Sequence, residues 1–178
     1  MIAAGVEPNE VTLISLVRKA ESFEAGCELA TFSRTEKKWY TGQGFYSALF
    51  SLRVTHLTAK QLIDVFLALP FRFNTSLANP IRQYRRDRLP EQAFEICLNV
   101  PELPTVRKFY KERGTFCLPH FATLEEHGFE HEHFDYCYGL ALLVNGHVGD
   151  AKLRLETALS NALSGHLQSK ISSVLAEI

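Results

Sequence analysis

Apolar side chains recur along this chain at intervals of three and four residues, and nowhere at a sustained interval of two. Leu13, Leu16, Val17 and Ala20 fall at i, i+3, i+4 and i+7 behind Pro8-Asn9-Glu10, whose asparagine suits an N-cap, and so predict a first helix. After a break at Glu21 and Ser22, the spacing returns in Phe23, Gly26, Cys27 and Ala30. Gly26 costs about 1 kcal/mol of helix propensity relative to alanine, which points to a close approach of two antiparallel helices. The pair ends in the charged stretch 34–38. Phe45, Ala48, Leu49 and Leu52 mark a third helix. Leu62, Val65, Phe66 and Leu69 mark a fourth, capped by Thr58 and ended by Pro70, because proline clashes with a continuing helix.

A fifth helix over 77–88 has to hold Pro80 in its first turn. Pro90 opens a sixth, with Ala93, Phe94, Cys97 and Leu98 on one face. Helices over 105–113 and 119–127 stop at Gly114 and Gly128, each a glycine where a C-cap favours one. The spans 134–144 and 148–163 form a hairpin joined at Asn145-Gly146, and 166–178 closes the chain with Ile171, Val174, Leu175 and Ile178 inward. The expected fold is all-α, a single domain over 1–178. Roughly five antiparallel helix hairpins, about 30–35 residues apart, stack as a short right-handed solenoid. A globular helical domain without true repeats is the alternative.

Composition narrows this little. With 46% hydrophobic and 22% charged residues, wholesale disorder is excluded and the 178 residues suffice for a core without disulfides or metal. The longest apolar runs, 140–144 among them, hold five residues, far below the roughly 18 needed to span a bilayer, so no membrane insertion is expected. Residues 1–5 carry neither the basic region nor the apolar core of a secretory signal. Cys27, Cys97, Cys117 and Cys137 form no CxxC pair and sit among apolar or helix-forming neighbours. They read as buried reduced thiols in a compartment such as the cytosol or the mitochondrial matrix.

Charge is informative in its distribution. Nineteen Lys and Arg against twenty Asp and Glu give a net −1, so no overall field draws the chain onto nucleic acid. Residues 1–118 nevertheless carry a net +4 and residues 119–178 a net −5, a polarity that suits orientation within an assembly. The densest basic stretches are Arg82-Gln83-Tyr84-Arg85-Arg86-Asp87-Arg88 and Arg107-Lys108-Phe109-Tyr110-Lys111-Glu112-Arg113. The candidate binding residues are Arg82, Tyr84, Arg85, Arg86, Arg88, Arg107, Lys108, Tyr110 and Lys111. Cations interleaved with tyrosine suit phosphates and bases, and equally an acidic protein surface, where Arg and Tyr are favoured anchors.

Glu125-Glu126-His127-Gly128-Phe129-Glu130-His131-Glu132-His133 is dense in potential zinc ligands. Gly128 interrupts the helix between His127 and His131 and no HExxH occurs, so an exposed polar loop is expected rather than a metal site. The chain has no glycine-rich phosphate loop, no GxSxG elbow and no Cys/His pair at a recognisable spacing. The expectation is a protein that is not an enzyme and takes no cofactor.

One stretch carries a family resemblance. Gly5-Val6-Glu7-Pro8-Asn9-Glu10-Val11-Thr12-Leu13-Ile14-Ser15-Leu16-Val17 resembles the linker and first helix of a pentatricopeptide repeat, which read Gly-x-x-Pro-Asn/Asp and then Val-Thr-aromatic/Leu. The likeness continues through Ala20 and Gly26, making 5–40 the clearest repeat. Gly44-Phe45-Tyr46-Ser47-Ala48-Leu49 is similar to the next opening. Arg88-Leu89-Pro90-Glu91-Gln92-Ala93-Phe94 and Gly149-Asp150-Ala151-Lys152-Leu153 resemble second helices of such units.

Most members of that family bind organellar RNA, reading one base per repeat through a polar residue early in the first helix and another at the repeat end. Here the early positions fall on Ser15 and Ala48, and the next linker is Thr41-Gly42-Gln43. Ala48 cannot hydrogen-bond a base and the linker holds no Asp. The resemblance therefore implies a non-catalytic subunit bound to a protein partner in a mitochondrial assembly on the matrix side. The alpha subunit on the catalytic head of the F-type ATP synthase is the expected partner. The alternatives it implies are an organellar RNA-binding protein in RNA processing or translation, and a mitochondrial ribosome component.

Overall fold

The computed structural model describes residues 7–178, which hold eleven α-helices and no strand. Gly5 and Val6 of the repeat-like opening lie outside the described residues. The chain divides into two compact units, one ending at Ile96 and the other running Cys97–Ile178. None of the described helices is long and apolar enough to cross a membrane.

The first unit begins with α1 (Glu10–Arg18) and α2 (Phe23–Thr31), and the sequence supplies both starts. Asn9 Oδ1 accepts from the Thr12 N–H at 2.9 Å, and Ser22 Oγ accepts from the Ala25 N–H at 3.2 Å. α2 runs on as a π-helical turn, Phe32–Glu36, where a charged break was expected. α3 (Gln43–Leu49) is shorter than its apolar spacing suggests and ends before Leu52, which is half-buried. α4 (Ala59–Ala68) opens with a reciprocal capping box between Thr58 and Gln61. Leu13, Val17, Leu49 and Leu62 fill the core around Phe23, Phe50 and Phe66, whose rings meet edge to face at 5.4 and 5.7 Å. Leu16, expected on the inner face, is exposed, and Val65 is only half-buried. The close approach expected at Gly26 is made not by α1 but by the Leu49 and Leu52 side chains, whose methyl groups a Cβ there would meet.

The fifth helix departs from its expected span 77–88. A 3-10 turn (Asn74–Leu77) leads into α5 (Ala78–Arg86), and Pro80, the third helical residue, is buried. A proline costs nothing there, because the first-turn N–H groups have no intrahelical partner. α6 (Pro90–Asn99) follows and contains the boundary between the units. Side chains of α5 and α6 hold the segment after α3 through backbone bonds. Gln83 Nε2 donates to Leu52 O at 2.8 Å while its Oε1 accepts from the Val54 N–H at 3.1 Å, and Gln92 Oε1 accepts from the Ala59 N–H. Asn79 Nδ2 donates to Ser47 O at 3.1 Å. The partners in these bonds lie 29 to 33 residues apart.

In the second unit, α7 (Pro104–Glu112) and α8 (Gly114–Glu126) are separated by Arg113 alone. This corrects two expectations. Gly114 is not a C-cap but the first residue of α8, and Pro119 lies inside that helix rather than at its start. α9 (Phe134–Val144) and α10 (Val148–Asn161) form the predicted hairpin. They approach closely enough that a Cβ on Gly139 would meet Leu155 Cγ at 2.8 Å. The C-cap expected at Gly128 (φ 67°) forms, and Gly146 (φ 88°) at the hairpin junction makes the same closure: their N–H groups donate to Glu125 O and Leu143 O, while the next residues reach back to Leu124 O and Leu142 O. α10 stops at Asn161, leaving Leu163 exposed, and α11 (Gly165–Leu175) starts earlier than predicted under a Ser164 cap. Ile171 and Val174 are buried, but Leu175, the last helical residue, is half-buried, and Ile178 lies beyond the helix end and is exposed.

Aromatic stacking organises this second core. Phe121 meets the buried Tyr110 and Phe134 edge to face and stacks on Tyr138 at 4.8 Å with the rings 6° apart. Arg154 of α10 reaches across the Tyr138 ring at 4.7 Å and pairs with Glu125 of α8 and with Asp135 of α9 at 3.2 Å. Cys97, Cys117 and Cys137 are buried free thiols, and Cys27 of the first unit is half-buried. Burial pushes the Cys27, Cys117 and Cys137 thiols up to about 12.

Candidate binding surfaces

The first basic stretch occupies α5 and its end. Arg82, Asn79, Gln83, Arg85, Arg86 and Ser51 line an open cleft of about 420 Å³. Arg82 Nη1 donates to Asn79 Oδ1 at 2.9 Å. Arg86 pairs with Asp87 at 3.2 Å, and that hydrogen bond is the main cause holding the Asp87 carboxyl below its ordinary value. Arg86 is exposed and Asp87 half-buried, and a pair with one partner so open to solvent adds little to stability. Three guanidinium groups on one cleft give planar, forked donors for carboxylate or phosphate.

Arg88 is placed by an unusual backbone. It sits at φ 60° just after the α5 C-cap, and the Leu89 N–H donates to Tyr84 O at 2.8 Å. Gly128 and Gly146 make the same closure with glycine. An arginine accepts the left-handed conformation at a cost that glycine avoids, and so places an exposed cation beside the cleft residues on α5.

Tyr84 is not part of any surface. It is fully buried, and its hydroxyl donates to Leu57 O at 2.8 Å with Val54 O at 3.3 Å. Burial, with a smaller contribution from Glu95, pushes its hydroxyl up to about 12. The helical period explains the error: between Arg82 and Arg85, positions 83 and 84 turn onto the inner face.

The second basic stretch lies on α7. Lys108 and Lys111 are exposed, Lys108 within 3.8 Å of Glu112, while Arg107 is half-buried and 3.6 Å from Glu177. Arg107 also lines a cleft of about 360 Å³ with Tyr136, Glu102, Lys170, Ser173 and Glu177, where acid and base alternate. Burial raises the Tyr136 hydroxyl, and Arg107 partly offsets it. Tyr110, like Tyr84, is a core residue with no exposed surface. The candidate cations are thus at the surface, Arg85 and Arg107 only partly, while both candidate rings are inside.

The early base-reading positions have similarly local fates. Ser15 Oγ donates to Val11 O at 2.9 Å on α1, and Ala48 is buried in α3. In the histidine-rich loop, His131 Nδ1 accepts from the His133 N–H at 3.1 Å, and His133 Nδ1 lies 2.9 Å from Leu98 O. Burial, then the neighbouring His133, lowers the His131 pKa, with Glu132 opposing. Among the described residues no group of three or more His, Cys, Asp or Glu is arranged to hold a metal ion.

Sequence reasoning passed over one aromatic and basic cluster. At the end of α2 the exposed Phe32 and Phe71 meet the buried Trp39 and the half-buried Phe73, with Arg34 and Lys37 over the exposed rings, and Lys38, Tyr40 and Arg72 adjoin them in sequence. Its signal was the recurrence of aromatic and basic residues in 32–40 and 71–73, which carries no helical period and so drew no attention. No protein-family profile, no curated protein and no solved structure matches this chain.

Proposed function

We propose that the chain is a non-catalytic helical-repeat subunit that binds a protein partner in a mitochondrial assembly, with Arg82, Arg85, Arg86 and Arg88 as its principal contacts. The observation that carries this reading is the burial of Tyr84 and Tyr110. Single-stranded nucleic acid needs exposed rings on which bases stack, and the basic rows are left with charge alone. Forked guanidinium groups on an open cleft suit carboxylates of a protein surface. The internal Ser15 bond and buried Ala48 add to this, since neither offers a base edge a partner.

The repeat arrangement is part of the proposal. Supporting it, the first helices of successive hairpins touch in each unit, α1 with α3 and α7 with α9. Side-chain-to-backbone bonds join positions 32 to 35 residues apart, as in Asn79 to Ser47 and Asn145 to Tyr110. That interval is the length of one helix-hairpin repeat. The assembly we infer is the F-type ATP synthase, with the alpha subunit of its catalytic head as the partner. The support is the pentatricopeptide-like opening joined to eroded base-reading positions.

The experiment is native isolation of the tagged full chain with identification of what co-migrates. Stoichiometric recovery of the catalytic head, lost when Arg85 and Arg86 are changed to Glu, is the expected result. Salt-sensitive binding to single-stranded RNA without any associated assembly would instead establish the RNA-binding alternative, because each neutralised phosphate releases counterions.

A further inference from the structure

Four departures from ordinary helical structure converge on one corner of the first unit. α2 widens into the π-helical turn Phe32–Glu36, a feature often retained at functional sites. Immediately after it, Lys38 holds φ 54°, and the Trp39 N–H closes the turn onto Ser33 O at 2.7 Å. A left-handed non-glycine residue is a local cost that persists where something else is gained. Large aromatic side chains stay in solvent here: Tyr40 is 69% exposed, Phe71 43% and Phe32 40%. Finally, cations sit on the rings, with Arg34 Cζ 4.3 Å over Phe71 and Lys37 Nζ 5.5 Å over Phe32.

The corner is braced from below rather than loosely exposed. Phe71 stacks on Phe73 at 6.5 Å, and Phe73 meets the buried Tyr46, which meets buried Phe45 at 5.3 Å. Phe32 contacts Trp39 edge to face at 6.0 Å, and Arg34 Nη1 donates to Trp39 O at 3.0 Å. Rings fixed in this way lose little conformational entropy when a partner arrives.

We propose that this corner docks an acidic protein segment bearing apolar side chains. The reading rests on the protein-partner function above and gives that partner a second surface with a stated chemistry. Charge complementarity supports it: within 32–40 and 71–73 there are four cations, Arg34, Lys37, Lys38 and Arg72, against the single carboxylate of Glu36. Arg34 keeps in-plane donors while stacked, and Tyr40 is an amphipathic anchor of the type enriched in interface hot spots. A nucleobase fits less well, because Arg34 and Lys37 already cover faces of the Phe71 and Phe32 rings. Stacking needs those faces free.

The test replaces Tyr40 in the full chain with the photo-crosslinking residue p-benzoylphenylalanine and irradiates the native assembly, with the exposed position Leu163 as control. The expected adduct is a protein peptide with more Asp and Glu than Lys and Arg. Its yield should fall about tenfold in K37E/R72E, the scale of losing an interface anchor, and survive in K37R/R72K. An adduct with RNA, a peptide without acidic surplus, or a yield no higher than at Leu163 would overturn the proposal. Co-migration with an assembly but no adduct at Tyr40 sinks this inference and leaves the protein-partner reading intact. Loss of co-migration on changing Arg85 and Arg86 with the Tyr40 adduct unchanged would separate the two surfaces.

Discussion

The side-chain amide of Asn145, at the end of α9, lies directly over the Cα of Gly114, at the junction of α7 and α8. Asn145 Nδ2 donates to Tyr110 O at 3.1 Å and to Ala141 O at 2.8 Å, binding the end of one helix to the end of another. A Cβ on Gly114 would collide with Asn145 Oδ1 and Cγ, and the two hydrogen bonds keep the amide from swinging away. Gly114→Ala should therefore cost about 2–3 kcal/mol, combining overpacking with a disrupted amide. Asn145→Ala should cost about 1–3 kcal/mol. The double variant should lose less than the two costs combined, because the second change removes the clash made by the first. Urea unfolding of the three variants measures this, and strict additivity would refute the relationship.

Tyr84→Phe separates a core role from a binding role. Removing the hydroxyl leaves Leu57 O without its donor and should lower stability by about 1–2 kcal/mol. Partner association at a temperature where the variant is folded should be unchanged, since Tyr84 offers no surface. Equilibrium denaturation alongside native gels reads both.

Arg88→Gly should raise stability by about 1 kcal/mol, the usual gain when glycine takes a left-handed cap. If Arg88 is kept for its charge, the same variant should bind the partner less tightly. A stabilised variant with undiminished association would assign Arg88 to the backbone alone.

His131 gives the second unit a pH dependence. Its folded pKa is lowered from 6.5, first by burial, and its Nδ1 must be unprotonated to accept from the His133 N–H. A depressed folded value means protonation favours the unfolded chain. Its contribution is present above pH 6.5 and is lost as pH falls through the lower folded value. The melting temperature should drop over that window more in the parent than in His131→Gln, which thermal scans at pH 7.5 and 5.5 would show.

Burial also predicts thiol reactivity. With the Cys27, Cys117 and Cys137 thiols all pushed up to about 12, scarcely any thiolate exists at pH 8 and access alone sets the order of labelling. Iodoacetamide should label half-buried Cys27 first and the three buried thiols of the second unit only on unfolding. Mass spectrometry of native and urea-treated protein distinguishes the two. Rapid native labelling of Cys137 would contradict the core described here.

Local chemistry written into the chain decided where helices start and which class of fold they build. Asn9, Ser22 and Thr58 cap helices because a side-chain oxygen three residues ahead of a free N–H acts without distant help. Periodic leucines and phenylalanines then oblige those helices to bury a stripe. Gly128 and Gly146 end their helices for an equally local reason. What tertiary structure alone decided is which face wins when local signals conflict. Gly114 read as a stop, but its role is to admit Asn145 from a helix some thirty residues away. Tyr84 and Tyr110 read as surface rings among cations, but helix phase against the rest of the unit put them in the core. The exposed rings near Trp39 come from two segments, 32–40 and 71–73, that only folding brings together. Capping and periodicity act within one turn of backbone. Burial depends on what packs opposite, and that partner is set by the whole fold.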